Sequence, residues 1–512
     1  MTALSAGGPA VVAVRSPGVL ADRVLGRVTM YRVVALALGG IAAAALVLGL
    51  VGVLPYRPEG LLASLAVAVV VGVGTNALFA RLRGLSAHAD SGLITGLLGF
   101  FLFLPLPTLP ALGALAGAVA AANLSKYLLV VRGRHVANPI AVGAVVVLLT
   151  GLSGATWWVA TPVLLPFVLL GGLAVVRRAG AWDLALPVLV VAVIGTTATL
   201  VAGGTAPAAA LWTAVASFPA LFLAAFMVTE PLTAPPRRWQ RLLVSALVGA
   251  IALVPLRVGY VAMAPEIALV LANAVAFAFG QRRRVRLVLA GREAHAGGLE
   301  ELRFTAEAPL RIRPGQYVEL GVPHARVDGR GARRAFSPAN APGSTDVRIL
   351  TRRAEPSSSF KRALLALEPG AAVAGAAVAG DFLPPRDPGE KVLWIAGGIG
   401  VTPFTAMADA EPHRDAHLVW VVRDGDDLGW AADALGDVPV HVVGPEALRE
   451  ALPSGWRWAG ERLARETLLA AAPDLADRAV YAAGSPVVVA AARRAAKAAG
   501  AGRVRTDRFV GY

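Results

Sequence analysis

A glycine-rich turn with the sequence GGIGVTPF begins at Gly397, directly after the continuous apolar run Val392–Ala396. This order predicts a buried strand, a tight turn and the start of a helix. Glycine leaves the backbone bare for a close approach, and the amide N–H groups at a helix N-terminus point at an anion. The turn therefore predicts a nucleotide phosphate site, although a single glycine-rich turn is weak support for one.

Four further motifs surround this turn. Three precede it, PGQY from Pro314, RRAFSP from Arg333 and GDF from Gly380, and YAAGSP from Tyr481 follows it. In this order and spacing the motifs resemble the ferredoxin–NADP reductase superfamily over residues 283–512. The resemblance implies that this part of the chain binds FAD and a nicotinamide coenzyme.

The RRAFSP motif is where the resemblance places FAD. Arg334 would pair with the FAD pyrophosphate, because a guanidinium fork matches phosphate oxygens. Phe336 would lie against the isoalloxazine ring, and Ser337 would hydrogen-bond near flavin N5. Taken alone, Phe336 is better interpreted as a barrel core residue, but its Arg and Ser neighbours favour the flavin contact. Ser358 and Ser359 lie where the family's second pyrophosphate-binding turn begins.

The same resemblance assigns coenzyme contacts to the later motifs. The nicotinamide would approach Gly484 and Pro486, where Ala483 replaces the cysteine that the family often has. The C-terminal Tyr512 would stack on the flavin until the nicotinamide displaces it. Ser337, Gly484 and Tyr512 thus form the expected catalytic group. The residues expected to bind the dinucleotide are Gly398, Gly400, Thr402 and Pro403.

The choice between NADH and NADPH depends on the residues after the predicted strand Leu418–Val422. Arg423 lies there, and an arginine at this point can meet the 2′-phosphate of NADPH. Three carboxylates adjoin it and would repel that phosphate, at Asp424, Asp426 and Asp427. The sequence leans to NADH and leaves NADPH open.

Composition indicates what must surround these motifs. The chain has 512 residues, of which 56% are hydrophobic and only 16% charged, against about 25% charged in a typical soluble domain. Of its 81 charged residues, 59 lie after residue 280. A single soluble globule is excluded, and a membrane domain followed by a soluble one is expected. The chain has no cysteine, which excludes disulfides, Cys-ligated zinc and Cys-ligated iron–sulfur clusters, and no metal site is expected.

Ten apolar runs in the first half are candidate membrane spans. Basic residues gather at every second connection, so the positive-inside rule places both termini in the cytoplasm of a multi-pass protein of the cell (inner) membrane. Topology, rather than nucleic-acid binding, then explains the positive charge of this half. The runs are roughly 31–55, 61–80, 89–106, 108–129, 138–152, 157–176, 183–203, 207–229, 240–256 and 264–280.

Few ionisable residues accompany these runs. His88 and His135 lie by basic connections at one predicted face, so they cannot ligate two haems stacked across a bilayer. Asp90, Lys126 and Glu230 lie near predicted cytoplasmic ends, where charges cost little. Ion pumping has no direct support from the sequence.

The membrane half carries a second set of ordered motifs. They are DSGLITGLL from Asp90, the segment Lys126–Arg134, Asn138-Pro139, and FMVTEPLTAP from Phe226. These motifs resemble a flavin-carrying membrane component of the ion-motive Rnf complex and its counterpart in the sodium-pumping NADH:quinone oxidoreductase. The resemblance implies ten spans and an FMN joined by a phosphoester to a threonine at the outer face.

A turn predicted to face outward carries the sequence at which this family attaches FMN. Residues Ser153–Thr156 read SGAT there, and the resemblance makes Thr156 the preferred acceptor, with Thr161 as the alternative. The plain interpretation of SGAT is a small-residue turn between two spans. Trp157 and Trp158 either anchor a span end at the interface or cover a flavin ring.

The predicted organisation is a cytoplasmic lead at 1–30, a bundle of about ten transmembrane helices at 31–280, an antiparallel FAD-binding β-barrel at 283–385 and an α/β NAD(P)-binding domain at 386–512. The predicted function is a flavoprotein that passes electrons from NAD(P)H through FAD to a membrane-domain flavin, and on to a quinone or an extracytoplasmic flavoprotein or ferric acceptor. The lipid bilayer and a flavin transferase are expected partners. The alternative is a membrane-anchored reductase for soluble acceptors, or a transporter with a regulatory reductase domain.

Overall fold

The structure is a computed structural model of the chain. It describes residues 25, 28–84, 89–131, 134–279, 284–310, 312–324, 328, 332–340, 343, 345–353 and 357–509. The chain divides into two compact units, the first formed by Val28–Gln281 and the second containing Arg282–Tyr512.

The first unit is helical. Two short hairpins, β1–β2 (Val130–Val131 and Arg134–His135) and β3–β4 (Arg257–Val258 and Val261–Ala262), interrupt its helices. The helices are α1 (Met30–Leu50), α2 (Pro58–Leu82), α3 (Ala89–Leu102), α4 (Leu109–Leu128), α5 (Pro139–Leu149), α6 (Leu165–Ala179), α7 (Trp182–Ala202), α8 (Pro207–Ala216), α9 (Ala220–Phe222), α10 (Arg238–Ile251) and α11 (Pro265–Ala278).

Four of these helices, α1, α2, α4 and α7, are long and apolar enough to cross a membrane. Helix α8 and the segment Ala220–Met227 make a fifth candidate if they are taken as one span bent by 44°. These counts refer to the residues that the structure describes. The prediction of about ten spans is therefore not confirmed.

The shortfall has a local cause. Each predicted apolar run contains a helix, but several runs also contain turns that shorten it. Helix α5 ends at Leu149 after 11 residues, and the run predicted at 157–176 is non-helical until Leu165. At 1.5 Å per residue, an 11-residue helix is about 17 Å long, against about 30 Å of hydrocarbon.

Glycine brings α2 and α3 into backbone contact. A Cβ on Gly72 would lie 2.6 Å from the carbonyl oxygen of Gly92 and 3.0 Å from the Cα of Gly96. Small residues at such positions let apolar helices approach closely, and the gain comes from van der Waals contact. The DSGLITGLL motif is therefore a helix-packing surface in this fold.

The first unit repeats one order of elements. Four helices, a two-residue-per-strand hairpin and a helix that begins with proline make up the first half, α1–α5. The second half, α6–α11, follows the same order when the bent α8–α9 pair is counted as one element. Pro139 and Pro265 each stand at the first positions of the helix after the hairpin, where proline's fixed φ suits a helix start.

The second unit begins with a six-stranded antiparallel sheet in the order β8-β7-β10-β5-β6-β9. Leu287, Phe304, Leu320 and Phe360 are among the side chains of its core. Closure of this sheet into a barrel stays a prediction. Its strands are β5 (Arg284–Ala294), β6 (Leu299–Ala306), β7 (Tyr317–Gly321), β8 (Arg333–Phe336), β9 (Asp346–Arg352) and β10 (Ala372–Ala379), with helix α12 (Ser359–Leu365) between β9 and β10.

A parallel six-stranded sheet follows, in the order β14-β13-β12-β11-β15-β16. One apolar core lies around Trp394 and Trp420 and another around Leu393 and Val480, as expected for a parallel sheet covered on both faces. Its elements are β11 (Val392–Gly397), α13 (Thr402–Ala410), β12 (Ala416–Val421), α14 (Leu428–Leu435), β13 (Val440–Val443), β14 (Arg457–Trp458), α15 (Arg465–Ala471), β15 (Ala479–Gly484), α16 (Pro486–Ala498) and β16 (Val504–Arg508).

Candidate functional site

The parallel sheet reverses its strand order beside β11. After β11 the chain adds β12, β13 and β14 on one side, and then β15 and β16 on the other. The carboxyl ends of β11 and β15 therefore flank a crevice, and in open α/β sheets ligands bind at such a switch point. The sequence motifs that begin at Gly397 and Tyr481 meet at this edge of the sheet.

Two glycines are required where the loops after β11 and β15 touch. A Cβ on Gly400 would lie 2.5 Å from the carbonyl oxygen of Ala483 and 2.6 Å from the Cα of Gly484. Gly484 has φ +137° and lies against Gly397, a conformation that side chains disfavour. The two loops pack backbone to backbone, so the sequence here is set by close approach as well as by any ligand.

Gly398 differs from these two glycines because it borders open space. Its φ is +52° and no atom lies within 4 Å of a Cβ placed on it. The indole Nε1 of Trp420 donates to its carbonyl oxygen at 2.9 Å, which fixes the turn. Helix α13 begins at Thr402 with Pro403 in its first turn. Exposed glycine backbone beside a helix N-terminus fits a dinucleotide pyrophosphate.

The flavin-side residues predicted from RRAFSP converge on one aromatic ring. The Arg334 guanidinium lies over the ring of Phe360, 5.0 Å from its centroid, and is buried. The rings of Phe336 and Phe360 stack with centroids 6.1 Å apart. Phe360 was not singled out from the sequence, and its only signal was its position beside Ser358 and Ser359. Arg334 and Phe336 offer a cation and an aromatic ring, which fits a nucleotide bearing phosphates and a flat ring.

The two sheets meet next to Ser337, which is buried. The hydroxyl of Thr405, in α13, donates to the carbonyl oxygen of Ala339 at 3.0 Å. Ile399, in the glycine-rich turn, packs with Ala339 and Leu350. The structure therefore brings the segment after Ser337 to the turn that follows β11.

Ser358 and Ser359 already make internal hydrogen bonds. Ser358 caps α12 by accepting from the backbone N–H of Lys361 at 3.2 Å. The hydroxyl of Ser359 accepts from the backbone N–H of Asp328 at 2.9 Å and lies 2.9 Å from Nε2 of His324. These contacts hold the start of α12 in place, and the predicted pyrophosphate role of the two serines stays a prediction.

The remaining coenzyme predictions lie around the crevice. Pro486 occupies the first turn of α16, which Ser485 caps. Arg423 is exposed after β12, and the adjoining Asp424 lies 3.9 Å from the guanidinium of Arg352. Tyr512 lies outside the described residues.

Asp507 is an acidic group at the crevice that the sequence reasoning did not assign. It stands opposite Ala483 in the β15–β16 pair, and Phe509, two residues later, donates its N–H to the carbonyl oxygen of Gly484 at 2.8 Å. Burial raises the pKa of the Asp507 carboxyl to about 6, against an opposing contribution from a backbone hydrogen bond. The sequence signal was an acid within a strand that otherwise holds basic and apolar residues.

In the first unit, the SGAT segment lies on the end of α3. Thr156 is exposed, and both its N–H and its hydroxyl are directed to the carbonyl oxygen of Leu102, at 2.7 and 3.2 Å. Trp157 has φ +53°, which is unusual for a side chain of this size. Its indole Nε1 donates to the carboxylate of Glu266 at 2.8 Å, and both residues are buried. Glu266 was missed from the sequence, although a carboxylate in an apolar run is a functional signal.

The tryptophans do not have the exposure expected of interface anchors. Trp158 is 3% exposed and donates from Nε1 to the carbonyl oxygen of Phe100 at 2.6 Å. The alternative acceptor Thr161 is half-buried and accepts from the backbone N–H of Leu164 at 3.4 Å. Thr156 therefore has the more accessible hydroxyl of the two.

The ionisable residues predicted in the first unit have partners. Asp90 pairs with Arg32 at 2.9 Å. The Lys126 ammonium donates to the carbonyl and hydroxyl oxygens of Ser91, each at 3.0 Å. Glu230 lies 3.0 Å from Nδ1 of His135, which gives that histidine a carboxylate neighbour, and His88 lies outside the described residues.

Comparisons with known proteins give partial matches. No family model matches the chain. It is 26% identical over 212 residues to the glycine betaine monooxygenase reductase subunit of Chromohalobacter salexigens, covering 38% of this chain and 56% of that protein. It is 28% identical over 202 residues to the NADH oxidoreductase HCR of Escherichia coli, covering 38% and 59%. An NADPH oxidoreductase of Mycobacterium tuberculosis is 33% identical over 99 residues, covering 19% and 25%.

Among solved structures, a cytochrome P450 reductase GcoB from Amycolatopsis is 24% identical with a TM-score of 0.37, over 44% of this chain and 70% of that one. The curated relatives support a ferredoxin–NADP reductase-like FAD- and NAD-binding domain and confirm the prediction of an oxidoreductase. The chain spans little more than half the length of the first two relatives. The predicted likeness of the first unit to membrane components of the Rnf complex and the sodium-pumping oxidoreductase gains no support from them and stays a prediction.

Proposed function

We propose that the chain is a membrane-bound NAD(P)H oxidoreductase that passes electrons from NAD(P)H through FAD to a flavin of the first unit, and on to a quinone or an extracytoplasmic acceptor. The observation that carries the reductase part is the crevice at the carboxyl ends of β11 and β15. Its glycine-rich turn lies against the segment that follows Ser337 in the antiparallel sheet. A coenzyme in the crevice and a flavin beside Ser337 would therefore be neighbours.

The residues at this site divide the work between two ligands. The backbone around Gly398 and the start of α13 would hold the coenzyme pyrophosphate. Arg334 would hold the FAD pyrophosphate, and Phe336 would limit where the flavin ring lies. A bound flavin supplies the conversion of a two-electron donor into one-electron steps. The protein places the two rings in contact and keeps water from between them.

NADH is the coenzyme we propose for this crevice. The 2′-position of the ribose would fall near the residues after β12, where Asp424 and Asp426 adjoin Arg423. Carboxylates repel a 2′-phosphate and accept hydrogen bonds from a 2′-hydroxyl. Steady-state oxidation of NADH and NADPH, compared as kcat/KM, tests the preference; a higher value for NADPH would contradict it.

The membrane part of the proposal is supported by the apolar helices of the first unit and by the exposed Thr156 hydroxyl. Four helices have the length and composition of spans. A covalent FMN at Thr156 would give the first unit a redox group of its own. The chain contains no cysteine, so no iron–sulfur cluster held by its own thiolates can serve that purpose.

In-gel flavin fluorescence tests the covalent flavin. The wild-type chain, produced with a flavin transferase, should fluoresce after denaturation, and Thr156→Ala should be dark. Thr161→Ala is the matched control and should keep the signal. A dark wild-type band would contradict the membrane flavin and leave the reductase proposal standing.

The names of the curated relatives favour a second candidate. They are a monooxygenase reductase subunit and soluble-coenzyme oxidoreductases by name, which suggests a reductase that serves a separate protein acceptor. Under this candidate the first unit is an anchor, and removal of the Thr156 hydroxyl leaves the physiological electron flow unchanged.

A further inference from the structure

The basic excess of the second unit is concentrated at its C-terminal end. Residues 281–478 contain 26 Lys and Arg and 26 Asp and Glu, so this stretch is neutral. Residues 479–512 contain six basic residues and one acidic residue, Asp507. Asp507 lies within strand β16 and is half-buried. The surface formed by this last stretch is therefore positive.

Helix α16 displays this charge on one side. It packs its buried face, which includes Val489, Ala492 and Ala496, on the parallel sheet. The opposite side is exposed and carries basic residues, and an exposed arginine follows in the turn before β16. We call these residues the basic face; they are Arg493, Arg494, Lys497 and Arg503.

No carboxylate neutralises the basic face within the part of the chain that the structure describes. None of its four side chains forms an ion pair there. Elsewhere in the same domain cations are paired: Arg478 binds Asp415 and Asp474, and Lys391 lies 3.0 Å from Asp474. Unpaired like charges that adjoin one another on a helix repel, so they favour an anionic partner.

The basic face lies away from the coenzyme crevice. Helix α16 begins at Pro486, next to the crevice, and runs back towards the other edge of the sheet. At 1.5 Å per residue, Arg493 is about 10 Å and Lys497 about 17 Å along the helix from its start. These cations are thus not the coenzyme phosphate site. A protein that collects electrons must come close to the flavin, so this position favours a partner that is not an electron acceptor.

We propose that the basic face binds the anionic phospholipid headgroups of the membrane surface. This inference rests on the proposed membrane location of the first unit. Only residues 279–283 separate α11 from β5, and a chain spans at most about 3.6 Å per residue. A bilayer that holds the first unit would therefore keep the second close to its headgroups, where even weak electrostatic contacts are populated. Clusters of Lys and Arg near an anionic leaflet are attracted to it, each residue adding to the others.

The chain's lack of cysteine allows a direct test in the full-length protein. Ala498, the exposed last residue of α16, is changed to cysteine (Ala498→Cys) and labelled with a fluorophore. The labelled chain is placed in nanodiscs of phosphatidylcholine alone, or of phosphatidylcholine with phosphatidylglycerol, each containing a lipid with a nitroxide headgroup. The label should be quenched at least about twofold more in the anionic discs, and added salt should remove the difference because it screens charges beyond several Å.

Two charge variants make the test specific. The triple variant Arg493→Ser, Arg494→Ser, Lys497→Ser should lose the lipid-dependent quenching. A control with the same loss of charge at exposed residues outside the basic face should keep it: Arg313→Ser, Arg386→Ser, Arg449→Ser. NADH oxidation with a soluble dye acceptor reports that each variant is folded.

The outcomes separate this inference from the proposed function. Equal quenching in the two lipid compositions, or equal quenching in the triple variant and the control, would overturn the basic face as a lipid-binding surface. A chain that does not enter nanodiscs at all would instead refute the membrane location. Lipid-dependent quenching that only the triple variant loses supports the inference.

Discussion

Arg333 and Arg334 are neighbours on β8, yet their side chains lie in different surroundings. Arg333 is exposed and Arg334 is buried against Phe360. The alternation of a strand puts successive side chains on opposite faces. Only the second arginine can therefore face a ligand held at the ring of Phe360.

Arg334→Ala should weaken FAD binding about tenfold or more, because a hydrogen bond to a charged group contributes about 1.5–3 kcal/mol. Arg333→Ala, the same change one residue away, should leave FAD binding unaltered. The measurement is flavin absorbance per protein after dialysis. Full FAD occupancy in Arg334→Ala would count against the flavin role of the RRAFSP motif.

Asp507 should give the second unit a pH-dependent stability. Its pKa is raised from 3.8 to about 6 by burial, so the folded state holds the proton more tightly than the unfolded state. Stability is then highest below about pH 4 for this group and falls as pH rises through about 6, because the charged carboxylate is costly to bury.

Asp507→Asn should remove this loss and raise stability at neutral pH by on the order of 1–3 kcal/mol. Denaturant unfolding of the full chain, measured at acid and neutral pH, gives the comparison. Asp437→Asn, at an exposed position, is the control and should change neither value. Parallel pH profiles for wild type and Asp507→Asn would contradict the prediction.

At the scale of elements, the crevice depends on how closely the loops after β11 and β15 approach each other. Gly400→Ala would place a methyl 2.5 Å from the carbonyl oxygen of Ala483, where backbone rather than a mobile side chain must move. We expect a loss of about 1–3 kcal/mol in stability and weaker NADH binding, measured by denaturant unfolding and by equilibrium titration.

The control for this change is Gly429→Ala, in α14. No atom lies within 4 Å of a Cβ placed on Gly429, and alanine suits a helix interior better than glycine by about 0.5–1 kcal/mol. This variant should be slightly more stable than wild type and bind NADH as before. Equal behaviour of the two variants would show that the loop contact is not critical.

The segment that carries SGAT depends on a hydrogen bond across the first unit. Trp157→Phe removes the donor and leaves the buried Glu266 carboxylate without its indole partner, which should cost about 1–3 kcal/mol. Trp212→Phe, at a position that is 57% exposed, should cost much less. Thermal unfolding in detergent, followed by size-exclusion chromatography, compares them; equal midpoints would show that the bond does not stabilise the fold.

Local sequence was sufficient for some elements and not for others. The buried strand β11, its glycine turn and α13 were predicted because an apolar run, glycines and a proline lie consecutively in the chain. The Trp157–Glu266 bond joins residues 109 apart, so no local pattern could reveal it. Phe360 was missed for the same reason, because its contact with Arg334 depends on how α12 packs on β8. The apolar runs of the first unit were located, but their helix ends depend on packing and capping.

At the scale of the whole molecule, the question is on which side electrons leave. The proposed function predicts that reconstituted vesicles whose second unit faces outward will oxidise added NADH and reduce an acceptor trapped inside. Thr156→Ala should lose reduction of the trapped acceptor and retain reduction of an acceptor added outside. Retained reduction of the trapped acceptor in Thr156→Ala would exclude that residue from the path.

The repeated order of elements in the first unit has a geometric consequence. Each half contains five helical elements, and five is an odd number. If every element crosses the bilayer, the second half traverses it in the opposite sense to the first. The two halves would then be related by a pseudo-twofold axis in the membrane plane, as in proteins built from inverted repeats. Such an arrangement presents similar scaffolds to the two sides, and the halves differ in what they carry: Asn138 before the proline-led helix in one, and Glu266 within it in the other.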